Sequence, residues 1–113
     1  MHRQDDAYSR AIGILQQLIR IRTPQPSGDE NDAVLFISSL FDDNKVEKEI
    51  INHGNNRASL VVVIPGLDRN RGVAIVGHLD TIPVGNVGDW THSPFGAVIV
   101  NGCVYGRGAA DTK

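Results

Sequence analysis

A histidine and an aspartate one residue apart, His78 and Asp80 in GHLDTIPVG (77–85), follow an apolar run, GVAIV, at 72–76. In an open α/β sheet, ligands gather beyond the carboxyl ends of the strands, and His78 is expected at such an end. While the chain stays extended, residues 78 and 80 point to the same side. Asp80 is then placed to accept a hydrogen bond from one ring nitrogen of His78, fixing the tautomer and turning the other nitrogen outward. A metal-ligating histidine commonly has such a carboxylate behind it. The plainer reading of an isolated His-x-Asp is a histidine that caps a strand and bonds a neighbouring turn. A further carboxylate, Asp111, closes YGRGAAD (105–111). Gly102, Gly106 and Gly108 ahead of it suggest tight turns near a site. No helix-opening G-K-[ST] follows them, so G-R-G by itself is a weak phosphate-loop signal.

Two amphipathic helices come before any strong strand. From Asp6 to Arg22, Tyr8, Ala11, Ile12, Leu15, Leu18 and Ile19 fall at helical spacing on one face, with Asp5 or Asp6 as the cap. Thr23-Pro24 ends this helix, because the residue before proline is pushed out of the helical region. In the loop TPQPSGDE (23–30), Ser27 and Glu30 form an S-x-x-E capping box for a second helix that buries Ala33, Val34, Ile37, Leu40 and Phe41. KVEKEII (45–51) alternates weakly as a strand, and HGNNR (53–57) is turn material. ASLVVVI (58–64) and GVAIVG (72–77) are continuous and apolar, as strands covered on both faces tend to be. AVIV (97–100), Asn101-Gly102 and CVYG (103–106) form the clearest hairpin signal, because Asn-Gly suits a turn with positive φ at both residues. Trp90 and Phe95 are expected to pin the long loop before it onto the sheet. His2 reads as a disordered end residue, His53 and His92 as turn and loop residues, and Cys103 as a small buried strand residue. The sum is an α/β layer around a mixed sheet, with a β-hairpin at 97–106.

Composition narrows the function classes. With 113 residues, 41% hydrophobic and 21% charged, the chain is one domain or part of one. A net charge of -2 with scattered Lys and Arg gives no footprint for nucleic acid. The apolar runs fall far short of the ~20 residues that span a bilayer, and MHRQDDAYSR has no signal-peptide segment. The single cysteine excludes an internal disulfide and fits a reducing cytoplasm.

Taken in order, GHLDT, then W-T-H-S-P-F (90–95), then NG-x-V-Y-G-R-G-A-A-D (101–111) resembles the M20 family of metallopeptidases and deacylases. Acetylornithine deacetylase, succinyl-diaminopimelate desuccinylase, glutamate carboxypeptidase, aminoacylase and several dipeptidases belong to it. The resemblance is close over 77–111 and extends to the preceding order of helices and strands, with NNRASLVVVIPG (55–66) similar to the family's second strand. It implies the N-terminal portion of a zinc-dependent exopeptidase-like mixed sheet flanked by helices. It also implies a site for two Zn2+ ions, with Co2+ or Mn2+ as alternatives. His78 would ligate one metal. Asp80 would join the catalytic set as the carboxylate orienting His78, and Asp111 would bridge both metals. A bridging carboxylate suits cations ~3.5–4 Å apart, and the Asp111-Thr112 peptide bond is expected to be cis.

The implied reaction is hydrolysis of the amide bond of an N-acyl amino acid or small peptide by metal-activated water. The implied partners are a small-molecule or peptide substrate and, for the parent, a second copy of itself; nucleic acid and membrane are not among them. The family's glutamate general base, a further carboxylate and a second histidine come later in its members' chains. Asp42-Asp43, at a helix end before the strands, does not match the Glu-Glu pair. Residues 1–113 are therefore expected to be an incomplete N-terminal part of the catalytic, metal-binding domain, without a lid or dimerisation domain. Alone they should bind zinc weakly and lack activity. The alternative is a non-enzymatic α/β module that associates through exposed sheet edges. Nucleotide binding through G-R-G at 106–108 is the weakest reading.

Overall fold

Asn55 and Asn56 both take positive φ, 49° and 60°, which lets a two-residue turn follow the twist of the strands it joins. That turn connects β1 (Glu47–Gly54) to β2 (Arg57–Val63) in an antiparallel pair, with Ile50 opposite Leu60. Asn101 and Gly102, at φ 49° and 78°, repeat the device between β3 (Val98–Val100) and β4 (Cys103–Tyr105). Two helices come first, α1 (His2–Arg20) and α2 (Asn31–Ser39). A computed structural model describes residues 2–42 and 44–113, without the side chains of residues 2–4. Asp43, half of the acidic pair considered above, lies outside the described residues. The class is mixed α/β, as the sequence implies, and the second hairpin falls where Asn-Gly places it.

The two hairpins form separate two-stranded sheets among the described residues. GVAIVG (72–77), expected as a buried strand, belongs to neither. It runs without regular structure, and Val73, Ile75 and Val76 are 93%, 97% and 89% exposed. A strand exists through its ladder, and no described segment pairs with this one. β2 departs from expectation more mildly. Its burial alternates, with Ala58 buried, Leu60 and Val62 half-buried, and Val61 and Val63 exposed. One face lies against α2 and the other faces solvent.

The molecule measures 51 × 44 × 21 Å. A slab that thin has room for about one helix layer on one sheet layer, since packed layers sit ~10 Å apart. Full burial is accordingly confined to a few side chains, among them Leu18 and Ile19 at the end of α1 and Ala33 and Val34 on α2. The apolar stripe of α1 is real, but its first half is open to solvent, with Tyr8 71% exposed. The helix also starts earlier than the spacing suggests. It begins at His2, so Asp5 lies in the first turn rather than at the cap, where its charge favours the helix dipole. Cys103 sits in β4 as expected but is exposed rather than buried, because this hairpin is covered on one side only.

The capping box does not form. Glu30 occupies the N-cap of α2 in a helical conformation with no side-chain cap bond, and the Ser27 hydroxyl donates to Pro24 O at 3.2 Å. Glu30 turns inward instead, accepting from Arg57 Nη2 at 2.8 Å and Nε at 3.2 Å. A forked pair with a largely buried carboxylate outweighs a cap bond worth about 1 kcal/mol. His53 also departs from its expected turn. It lies in β1, its Nε2 2.8 Å from Ser59 Oγ on the paired strand.

Gly106 and Gly108 account for the G-R-G run. A Cβ on Gly106 would stand 2.5 Å from Ile19 Cγ2 and 3.1 Å from Pro94 O. One on Gly108, whose φ is 94°, would stand 2.5 Å from Lys113 Cγ and 3.3 Å from Thr81 Cγ2. Both glycines let the backbone after β4 press against the end of α1 and the segment after His78. Gly106→Ala is therefore expected to destabilise by about 1–3 kcal/mol through overpacking. Thermal melts of Gly106→Ala, Ile19→Ala and the double variant check this. The double variant should lose less than the sum, because truncating Ile19 removes the colliding methyl.

Candidate metal centre

Thr23 and Thr81 build the platform of the site. Thr81 N–H donates to Thr23 O at 2.8 Å, and Gln25 N–H donates to Thr81 O at 2.8 Å. These bonds form a parallel bridge between Pro24 and Thr81. The Thr23 hydroxyl adds a bond to Leu79 O at 2.6 Å, and both threonines are buried, at 0% and 3% exposure. The loop that follows α1 is thereby fastened alongside residues 79–81. In sequence, 23–30 is a helix-capping loop, TPQPSGDE, with no local sign of this pairing.

On the platform, His78 faces two carboxylates. Its Nδ1 lies 2.9 Å from Asp80 O and 3.2 Å from Asp80 Oδ1, and its Nε2 lies 3.1 Å from Asp111 Oδ1. The structure thus brings all three expected site residues together, across 33 positions of sequence between His78 and Asp111. The shorter contact of Nδ1 is with the backbone carbonyl of Asp80, so the carboxylate shares that proton rather than holding it alone. The second oxygen of Asp80 accepts from Gln25 Nε2 at 2.8 Å, a partner with no motif to mark it in sequence. Lys113 Nζ donates to Thr23 Oγ1 at 2.6 Å and Ile21 O at 2.9 Å from below.

The electrostatics follow from this geometry. Both nitrogens of His78 meet acceptor oxygens, so its pKa lies above the ordinary imidazole value, first through the Asp80 carbonyl and then through the Asp111 carboxylate. Asp80 is held below the usual carboxylate range, chiefly by the Gln25 amide, with the His78 charge adding to it. Partial burial lowers Lys113 to about 8. Trp90 and Phe95 anchor the neighbouring loop. Trp90 Nε1 donates to Val84 O at 2.9 Å, Arg107 lies 4.9 Å over the Trp90 ring, and Arg22 lies 4.7 Å over Phe95. His92 packs edge-on to Tyr105 at 4.7 Å, away from the site. The peptide after Asp111 is not cis, contrary to the resemblance; the one cis bond among the described residues is Gln25-Pro26.

His78 Nε2 and Asp111 Oδ1 suit zinc in type and spacing. Zinc takes imidazole nitrogen and carboxylate oxygen at ~2.0–2.2 Å, which puts adjacent ligand atoms of a tetrahedral site ~3.3 Å apart. The observed separation is 3.1 Å. With Nδ1 donating to Asp80, Nε2 is the nitrogen that would give up the proton it shares with Asp111 and turn a lone pair to a cation. The set is two ligands strong: among the described residues no group of three or more His, Cys, Asp or Glu side chains is gathered to hold a metal. His78 and Asp80 open onto a groove of about 880 Å3, whose walls include Phe41, Leu60 and Ile75.

Residues 74–113, the segment that carries all three site residues, match the model described as Peptidase family M20/M25/M40. Curated relatives match more of the chain. A protein named succinyl-diaminopimelate desuccinylase 2, from Ruegeria sp. (strain TM1040), is 35% identical over 103 residues, covering 90% of this chain and 25% of its own length. A probable succinyl-diaminopimelate desuccinylase of Staphylococcus aureus (strain Mu50 / ATCC 700699) is 30% identical over 102 residues, 90% of this chain and 24% of that protein. The succinyl-diaminopimelate desuccinylase of Wolbachia pipientis wMel is 34% identical over 95 residues, 80% and 21%. The chain thus spans about a quarter of the length of the relatives it matches. No helix among the described residues is long and apolar enough to cross a membrane.

The His78 geometry makes a prediction about pH. A raised folded-state pKa contributes stability that is full below the ordinary imidazole value and is lost as pH rises through the folded value. NMR titration of the ring should give a pKa above that of a free histidine, and Asp111→Asn should lower it. An unshifted ring would contradict the two-sided arrangement.

Proposed function

We propose, for a chain whose residues 74–113 carry the M20/M25/M40 peptidase signature, that it supplies the metal-binding N-terminal part of a hydrolase acting on the amide bond of an N-acyl amino acid or small peptide. The observation that carries this reading is His78 held between Asp80 at Nδ1 and Asp111 at Nε2. The relatives' names make N-succinyl amides the first substrates to test. His78 Nε2 and the Asp111 carboxylate would hold zinc, and the same carboxylate would also serve a second ion. The chemistry that zinc would supply there is Lewis acidity toward an amide carbonyl and a bound water with a pKa brought toward ~7.

The chain's own residues prepare this. Asp80 keeps the proton on Nδ1, so that Nε2 is the nitrogen that would lose its proton and present a lone pair when a cation binds. The bridge between Pro24 and Thr81 holds Asp80 in place, and the close contacts of Gly106 and Gly108 deliver Asp111 to the other side of the ring. No glutamate stands beside His78 and Asp111 among the described contacts to move a proton. The 113 residues alone are therefore read as ligand-bearing and inactive, with the proton-transferring group and remaining ligands supplied by other parts of a longer protein. The compartment proposed is the cytoplasm, in keeping with a single exposed thiol.

Calorimetric zinc titration of the chain at neutral pH tests the reading. Weak saturable binding is expected, lost in both His78→Ala and Asp111→Ala, with no turnover of an N-succinyl amino acid. Zinc uptake indifferent to both substitutions would overturn it.

A second reading, association through unpaired backbone, has one observation in its favour: the exposed apolar run Val73, Ile75 and Val76. It predicts concentration-dependent elution in size-exclusion chromatography, and a monomer at every concentration would dispose of it.

A further inference from the structure

We propose that Gln25 is a positioning residue for the metal half-site, its side-chain amide holding the Asp80 carboxylate in the plane that orients the His78 ring. This rests on the reading of His78 and Asp111 as metal ligands. The two oxygens of Asp80 have separate partners: Oδ2 accepts from Gln25 Nε2 at 2.8 Å, and Oδ1 lies 3.2 Å from His78 Nδ1. Rotation of the carboxylate breaks both contacts, so the amide fixes the face that Asp80 turns to the imidazole. Gln25 is itself held, because its backbone N–H donates to Thr81 O at 2.8 Å, the residue directly after Asp80. Donor and acceptor are thus locked to one short stretch of paired backbone, 55 residues apart in sequence. The chemistry also fits the residue type. A neutral amide N–H binds a carboxylate without adding a charge that would compete with the histidine or a cation. A glutamate at this position would set two carboxylates against each other, and an aliphatic side chain would leave Oδ2 without its donor.

The test uses two readouts. In the zinc-free chain, the ring nitrogen shifts of His78 report the share of the Nδ1-protonated tautomer; on adding Zn2+, the same signals report its affinity. Gln25→Leu is expected to reduce that tautomer and to weaken zinc about five- to tenfold, below the 10–100-fold that follows loss of a direct partner of a ligand. Gln25→Asn, one methylene shorter with the amide kept, should lie between. In an Asp80→Ala background, Gln25→Leu should cause no further weakening, a result that a general effect on folding would not give. Unchanged tautomer and affinity in Gln25→Leu, or equal weakening with and without Asp80, would overturn the proposal. A tautomer shift in Gln25→Leu together with no zinc response in the unaltered chain would leave the hold on Asp80 standing and overturn the metal reading.

Discussion

The parallel bridge between Pro24 and Thr81 is the constraint on which the site depends. Its hydrogen bonds join the loop after α1 to the residues that follow His78 and close over two buried threonines. Buried backbone groups must be paired, and here the pairing also does structural work that a longer sheet would otherwise do. The apolar run before His78 has no ladder partner among the described residues, yet His78 is still placed, because the segment after it is fastened. Glu30 and Arg57 extend the same tie to the first hairpin, so α1, α2 and β2 reach the site through one loop.

Asp111 arrives by a different route. The Asn101-Gly102 turn reverses the chain, and two glycines then let the backbone lie against Ile19 and Thr81 where any side chain would collide. The carboxylate is delivered by steric permission rather than by a hydrogen bond of its own, apart from the one to His78. It is accordingly exposed, 85% at the side chain, while Asp80 is 34% exposed and tied at both oxygens. The two aspartates flank one imidazole in unlike environments. The anchored one suits orienting the ring, and the open one suits meeting a cation.

Much of this was legible in the sequence, and the limits have physical causes. Helical spacing identified α1 and α2, and Asn-Asn and Asn-Gly marked both turns, because these signals are local. The three motifs in register marked His78, Asp80 and Asp111. What escaped was set by tertiary competition. Ser27 and Glu30 have capping-box spacing, but Arg57, 27 residues away, offers Glu30 a stronger partner. The run at 72–77 has strand composition, but composition cannot supply the neighbour a strand needs. Gln25 carries no motif, and its role appears only once Thr81 is seen to pair with its backbone.

The zinc K-edge absorption spectrum of the zinc-loaded chain reads directly whether His78 and Asp111 hold the metal. One imidazole in a shell otherwise made of oxygen, at ~2.0–2.2 Å, is expected. A sulfur neighbour at ~2.3 Å, which would mean Cys103, or a shell with two or more imidazoles drawn from His2, His53 or His92, would contradict it.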